Sequence, residues 1–141
     1  MKLLFLGGTG NISTACVELA LERGHDVTVL NRGRSASRLA RPVQVLVGDR
    51  SNPAALRGAA RTRYDAVVDF LGYRPEQVEM AVEAFAGRTG QYVFISTTAA
   101  YLKPLAHYLV TEATPLGNPF WEYARLKIAC EKLLESAARK P

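Results

Sequence analysis

The sequence predicts an α/β fold, a doubly wound parallel sheet with helices on both faces. Five short segments rich in Val, Leu, Ile and Phe recur along the chain, and their continuous apolarity is typical of strands covered on both faces. Helical segments separate them, with proline at the start or glycine past the end of several. Right-handed crossovers would give the strand order 3-2-1-4-5, with ligands bound where the order reverses beside strand 1.

The element boundaries follow from the same patterns. Strands are predicted at Leu3–Leu6, Val27–Leu30, Val43–Val47, Ala66–Leu71 and Tyr92–Ile95. Helices are predicted at Ile12–Arg23, Pro53–Ala60 and Pro75–Ala86 and, after a loop containing prolines, from about Phe120 to Ala138. A helix of one or two turns over "SASRLA", residues 35–40, is left open.

Composition limits the classes of protein and site. A chain of 141 residues is the size of one domain, and we expect one cofactor-binding domain over residues 1–141. No apolar stretch is long enough to span a membrane and no secretory signal is present, so a cytoplasmic protein is expected. Cys16 and Cys130 fall in predicted helices, which favours reduced thiols. No cluster has metal-ligand spacing, and we predict no metal.

The segment "GGTGNIS" lies between the first strand and the first helix. Without side chains at Gly7 and Gly10 the backbone can turn tightly and let a pyrophosphate reach the helix N-terminus, where N–H groups and the helix dipole favour negative charge. We include Asn11 and Ile12, at the start of that helix, in the predicted binding site. The alternative is a plain strand-to-helix corner.

The end of strand 2 bears on the cofactor type. In dinucleotide folds an acidic residue here usually binds the ribose of NAD, whereas arginine accommodates the 2′-phosphate of NADP. Asn31 and Arg32 occupy this place, with Arg34 close behind, so NADP is expected ahead of NAD. The net charge of +5 also favours an anionic partner, namely a phosphorylated cofactor, a nucleotide-sugar or RNA, although a solvated basic surface is the alternative.

A third stretch carries candidate acid/base chemistry. Tyr123 and Lys127 are four residues apart on a predicted helix, so they share a face and the ammonium can depress the pKa of the phenol. Such a tyrosine can exchange a proton with a substrate hydroxyl or carbonyl while nicotinamide carries hydride. The hydroxyl cluster Ser96, Thr97 and Thr98 follows strand 5, at the edge where α/β proteins bind ligands.

Together these motifs resemble the N-terminal part of an extended or atypical short-chain dehydrogenase/reductase, the superfamily of nucleotide-sugar epimerases and dehydratases, from Lys2 to about Ala137. The resemblance implies a Rossmann fold, a nicotinamide cofactor and a small-molecule substrate such as a nucleotide-sugar. By position it implies that Gly7, Gly10 and Ser13 form the pyrophosphate turn and that Asp49 contacts the adenine. It implies that Phe70, Leu71 and Gly72 line the adenosine side, and that Thr97 is the catalytic hydroxyl, with Ser96 and Thr98 as fallbacks. Tyr123 is then the catalytic tyrosine and Lys127 its lysine, which also holds the nicotinamide ribose.

The sequence departs from the family pattern in three ways. Ser13 replaces the third glycine, Asp69 stands where epimerases often carry histidine, and the family's C-terminal strands and substrate domain do not follow strand 5 and its helix. Strand 5 is then expected to be an exposed edge prone to aggregation or to pairing in a homodimer. Two functions are open: an NAD(P)-dependent enzyme, or a non-catalytic cofactor-binding module that recognises RNA or a regulatory partner. The intact tyrosine and lysine favour the enzyme.

Overall fold

A computed structural model describes residues 1–33 and 39–139. The elements in chain order are β1 (Lys2–Leu6), α1 (Asn11–Glu22), β2 (Asp26–Asn31), β3 (Gln44–Val47), α2 (Pro53–Ala59), β4 (Tyr64–Asp69), α3 (Pro75–Phe85), β5 (Thr89–Phe94), a 3-10 turn (Thr98–Ala100) and α4 (Glu122–Ala138). All neighbouring strands pair in parallel in the order β3-β2-β1-β4-β5. The predicted fold class and strand order are therefore confirmed.

Boundaries differ from the prediction mainly at strands 4 and 5. β4 begins two residues earlier than predicted and ends at Asp69, so Phe70 and Leu71 follow the strand instead of belonging to it. Their apolar side chains extended the predicted strand because apolarity alone cannot distinguish a strand from a buried segment after it. The open helix over residues 35–40 lies largely outside the described residues.

The chain divides into two compact units. The first consists of Met1–Leu71 and Met80–Ile95 and contains the whole sheet. The second consists of Gly72–Glu79 and Ser96–Pro141, as far as they are described, and contains α4. Within the described ranges, no helix combines the length and apolarity needed to cross a membrane.

Apolar side chains cover both faces of the sheet in the first unit. One cluster joins Leu4 and Leu6 of β1 to residues of α2 and α3, and the other joins Leu3 and Phe5 of the same strand to α1. Alternate residues of β1 therefore point into two different cores, as the continuous apolar pattern predicts. β5 lies at one edge of the sheet, as expected, and its pairing with a second copy stays a prediction.

In the second unit, the proline-containing loop folds back on itself before α4 begins. The segment after the 3-10 turn runs beside the segment before Asn118, through an antiparallel bridge between Tyr101 and Leu116. Asn118 is buried, and its Nδ2 donates to the carbonyl of Ala99 at 2.9 Å. Backbone hydrogen bonds close the base of the loop. The N–H groups of Leu102, Lys103 and Gly117 donate to the carbonyls of Pro115, Gly117 and Ala100, respectively.

The turn after β1 requires glycine at two adjacent positions. Gly7 and Gly8 have φ values of 107° and 95°, a region that residues with a Cβ rarely adopt. At Gly8 a Cβ would also lie 2.8 Å from Cγ1 of Val29, closer than real contacts allow. The tight approach was predicted for Gly7 and Gly10 and not for Gly8, although the Gly-Gly pair in the sequence is a signal for it.

Replacing Gly8 by Ala is expected to lower the free energy of unfolding by about 2 kcal/mol or more, because left-handed backbone costs an L-residue about 1–2 kcal/mol and the methyl group presses on Val29. Gly58→Ala is the matched control, since Gly58 lies in α2 with open space around it, and alanine there should be neutral or stabilising by about 0.5–1 kcal/mol. Urea unfolding measures both, and equal stability of the two variants would contradict the packing described.

Candidate functional site

The glycine turn leads directly into α1, where a serine replaces the third glycine. Oγ of Ser13 accepts a hydrogen bond from the Gly10 N–H at 2.8 Å, and the serine is 4% exposed. Thr14 returns to the same residue, with its N–H and hydroxyl both donating to the Gly10 carbonyl. Ser13 therefore acts as a local hydrogen-bond acceptor that fixes the turn, which explains the departure from the glycine pattern.

Space at the start of α1 fits an anionic group. Gly10 has ordinary extended backbone with φ of −91°, and a Cβ there would meet only Oγ of Ser13, at 3.4 Å. Glycine at this position is thus not required by the protein's own packing. Asn11 and Ile12 begin the helix exposed to solvent, and the first N–H groups of a helix lack intrahelical acceptors. These residues would suit the pyrophosphate of a dinucleotide.

At the end of β2, Asn31 has one satisfied and one unsatisfied polar atom. Its Oδ1 accepts from the N–H of Gly33 at 2.8 Å. Its Nδ2 is buried and has no hydrogen-bond partner among the described residues. Buried polar groups are nearly always paired, so this nitrogen fits a ligand oxygen. Arg32 is exposed beside it, and Arg34 lies outside the described residues.

Asp49 follows β3 in a loop next to Asn31. The backbone N–H of Gly48 donates to the carbonyl of Asn31 at 2.8 Å, which brings the ends of β2 and β3 together. The Asp49 carboxylate is exposed and accepts from the Ser51 N–H at 2.8 Å. The first unit therefore places Asn31 and Asp49, two predicted adenosine-side residues, at one edge of the sheet.

Phe70 and Leu71 leave β4 on the other side of β1. The ring of Phe70 stacks on Phe5 with centroids 6.2 Å apart, and Leu71 lies beside the glycine turn, where a Cβ on Gly7 would be 3.3 Å from its Cγ. Within the first unit, the glycine turn and the segment after β4 therefore both lie at the carboxyl end of β1.

A buried polar cluster links the loop after β3 to the segment after β4. Arg50 and Asp69 are 3% and 0% exposed and form an ion pair through Nη2 and Nε of the guanidinium. The hydroxyl of Tyr92 donates to Oδ2 of Asp69 at 2.6 Å, and the Leu71 N–H donates to Oδ1 at 2.8 Å. Burial raises the pKa of Tyr92 well above its usual value, and the negative charge of Asp69 and the hydrogen bond to it act in the same direction. The sequence analysis noted Asp69 only as a departure and missed Arg50 and Tyr92, which no local pattern connects.

In the second unit, Lys127 is buried beneath aromatic residues. It is 1% exposed, and its Nζ donates to the Gly72 carbonyl at 2.9 Å. The ammonium lies 5.8 Å from the centroid of the Tyr73 ring, which in turn contacts the ring of Tyr123 at a centroid distance of 6.4 Å. Trp121 packs on Tyr123 from the other direction at 4.9 Å. Two predicted residues, Gly72 and Lys127, are therefore in contact, and Tyr73 joins them without having been predicted.

The hydroxyl cluster after β5 has divided roles. Oγ1 of Thr97 accepts from the Ala99 N–H at 3.2 Å, capping the 3-10 turn against which α4 packs. This contact uses a lone pair, and a hydroxyl also carries one donor hydrogen. Ser96 donates its hydroxyl to Glu131, one turn beyond Lys127 on α4, and Thr98 is exposed. Thr97 stays the predicted catalytic hydroxyl, with Ser96 already held by a carboxylate.

Chemically, the second unit presents the phenol of Tyr123 and, one helical turn along α4, the buried ammonium of Lys127, while the first unit presents backbone and amide donors suited to an anion. Among the residues that the structure describes, no three His, Cys, Asp or Glu side chains are grouped to hold a metal ion. His107 is exposed in the proline-containing loop.

Comparisons with known proteins connect these features to a family. The family model described as "NAD dependent epimerase/dehydratase family" matches residues 3–141. The 2′-dehydrokanamycin reductase of Streptomyces kanamyceticus is 32% identical over 138 residues, which are 97% of this chain and 38% of the reductase. The chloroplast stem-loop binding protein of 41 kDa b of Arabidopsis thaliana is 28% identical over 116 residues, which are 72% of this chain and 30% of that protein.

The fold is also similar to that of a solved structure. The structure of UDP-glucose 4-epimerase from Bifidobacterium longum in complex with NAD+ and UDP matches with a TM-score of 0.81 at 22% identity and covers 100% of this chain and 50% of that one. The chain thus spans half or less of the length of each of these three relatives. The likeness confirms a Rossmann-like sheet, and because the family model covers nearly every residue, the chain belongs to the NAD dependent epimerase/dehydratase family.

Proposed function

We propose that the protein carrying this chain is an NAD(P)-dependent oxidoreductase, or a nucleotide-sugar epimerase or dehydratase, that uses Tyr123 as its acid/base residue. The observation that carries the proposal is the burial of Lys127, 1% exposed, one helical turn from Tyr123. Charged side chains are almost never buried unless paired, and this ammonium has a backbone carbonyl at 2.9 Å and an aromatic ring as neighbours. A structural role alone does not require a lysine here.

Three side chains of the second unit would share the chemistry. Tyr123 would exchange a proton with a substrate hydroxyl or carbonyl, and the positive charge of Lys127 would stabilise its phenolate. The hydroxyl of Thr97 would donate its hydrogen to the reacting substrate oxygen. A bound nicotinamide would supply the hydride acceptor or donor. Tyr73 and Trp121, packed on the Tyr123 ring, would hold the phenol in one orientation.

The cofactor is assigned to residues of the first unit in the same proposal. The Gly10 turn would take the pyrophosphate and Asp49 the adenine, while Phe70 and Leu71 would line the adenosine. Nδ2 of Asn31, which has no partner in the described part of the chain, and the neighbouring Arg32 support a phosphorylated ribose and hence NADP, because both groups are hydrogen-bond donors and neither is an anion. The substrate is proposed to be a nucleotide-sugar, since the structural relative from Bifidobacterium longum was solved with UDP.

One relative favours a second candidate function. The 28% identical Arabidopsis protein is named for stem-loop binding, and this chain carries a net charge of +5. A non-catalytic module would bind RNA through phosphate contacts, so its affinity would fall steeply with salt and would not depend on a cofactor. Salt-dependent RNA binding together with no turnover would favour this candidate over the enzyme.

Tyr123→Phe in the full protein is expected to lower turnover about a hundredfold or more, because it removes the acid/base hydroxyl while keeping the ring between Tyr73 and Trp121. Cofactor affinity should change little. The measurement is steady-state turnover of UDP-glucose together with cofactor titration by fluorescence. Tyr64→Phe is the control, since this buried tyrosine is the first residue of β4 and has no part in the proposed site. Full turnover by the Tyr123 variant would refute the assignment.

Gly10→Ala is expected to keep the protein folded but to weaken NADPH and NADH binding about tenfold or more. The backbone at Gly10 accepts alanine, and the methyl group would occupy the space proposed for the pyrophosphate. Thermal unfolding and fluorescence titration of each cofactor separate the two effects. Unchanged affinity in a stable variant would show that the pyrophosphate does not bind at this turn.

Wild-type protein is expected to bind NADPH more tightly than NADH, and Arg32→Ser should reverse this order by weakening NADPH alone. Losing one charge-assisted contact to phosphate costs about 1.5–3 kcal/mol, or roughly ten- to a hundredfold in affinity. Arg61→Ser removes the same charge from an exposed position before β4 and serves as the control. Tighter NADH binding by the wild type would contradict the role given to Arg32.

A further inference from the structure

The buried cluster of Arg50, Asp69 and Tyr92 has no part in the proposed chemistry, yet it is placed behind two segments of the cofactor site. Arg50 directly follows Asp49, and Leu71 belongs to the adenosine-side segment. Both Arg50 and the Leu71 N–H donate to the same carboxylate, that of Asp69. Through this carboxylate the loop after β3 and the segment after β4 are joined within the first unit.

We propose that Asp69, held by Arg50 and Tyr92, is a positioning residue that sets the adenine-binding carboxylate of Asp49. The inference rests on the proposed cofactor function and adds to it the part of the protein that fixes the adenosine end.

The geometry leaves the Asp49 loop few ways to move. The Arg50 guanidinium is anchored at Asp69, and the Asp49 carbonyl accepts from the Asn52 N–H at 2.9 Å on the other side. Oδ1 of Asn52 accepts from the Ala54 N–H at 2.9 Å and caps α2, so that end of the loop is fixed as well. A Cβ at Gly48 would lie 2.9 Å from Cβ of Ala55, which shows how closely the loop packs on the helix.

Stability alone is a weak reason for this cluster. Apolar side chains of similar volume often stabilise a core as well as a buried ion pair does, because desolvation offsets much of the attraction. Tyr92 packs against the apolar core with its ring and reaches Asp69 only with its hydroxyl. Its raised pKa keeps that hydroxyl a donor, so the carboxylate is held from β5, from the loop after β3 and from the backbone of Leu71. These contacts fix the direction of the Asp69 carboxylate more than they add to the stability of the fold.

The test uses ADP as the probe for the adenosine end and nicotinamide mononucleotide as the probe for the other end. Tyr92→Phe keeps the ring and removes one contact to Asp69, while Arg50→Lys keeps the charge and loses the planar fork. Both variants are expected to bind ADP about three- to tenfold more weakly, the range for one lost hydrogen bond, with nicotinamide mononucleotide binding unchanged. Isothermal titration of the full protein well below its melting temperature measures both affinities.

Two further variants distinguish positioning from loss of stability. Phe85→Leu perturbs the same core cluster without touching Asp69, and it should lower the melting temperature while leaving ADP affinity unchanged. In an Asp49→Ala background, Tyr92→Phe should have no additional effect on ADP affinity, because the residue through which it acts is gone.

The outcomes separate this inference from the proposal on which it rests. If the wild type binds ADP and the Tyr92 and Arg50 variants bind it equally well, the positioning role is overturned and the cofactor function stands. The same holds if the Tyr92 and Asp49 effects are additive. If the wild type binds neither ADP nor NADPH, the proposed function is itself overturned.

Discussion

Burial of β1 on both of its faces is the constraint on which the first unit depends. Leu3 to Leu6 are all at most 8% exposed and lie between β2 and β4. After Leu6 the chain turns within four residues into α1. Gly7 N–H donates to the Leu30 carbonyl and Phe70 N–H to the Leu6 carbonyl, so the turn remains bonded to the sheet on both sides. The turn thereby lies at the carboxyl end of β1, the end of such sheets at which ligands bind.

Much of this arrangement could be predicted from the sequence. Continuous apolar segments separated by helices predict the parallel sheet and its strand order. The glycine-rich segment between the first strand and the first helix predicts the turn there. The predicted β4 ended two residues too late because Phe70 and Leu71 are apolar for a different reason, one stacking on Phe5 and the other lying beside Gly7. A hydrophobic pattern records burial and not the kind of structure that is buried.

The parts that sequence could not supply are contacts between residues far apart in the chain. Arg50 meets Asp69 across 19 residues, Tyr92 meets it across 23, and Ser96 meets Glu131 across 35. Lys127 donates to the Gly72 carbonyl across 55 residues, so a residue of the predicted cofactor segment contacts the predicted partner of the catalytic tyrosine. Ser13 is a contrasting case, because its partner Gly10 is three residues away and the hydrogen bond could be considered from the sequence alone.

Buried polar groups in this chain fall into two kinds, and the difference bears on function. The Asp69 carboxylate accepts hydrogen bonds from Arg50, the Leu71 N–H and the Tyr92 hydroxyl, so the protein itself satisfies it. Nδ2 of Asn31 is buried without a partner among the described residues, a state that costs free energy in any protein that keeps it. Asn31 and Asp69 end β2 and β4, the two strands that flank β1, so the satisfied carboxylate and the unsatisfied donor belong to the same end of the sheet. The amide left without a partner at the end of β2 therefore supports the proposed cofactor site independently of the glycine turn.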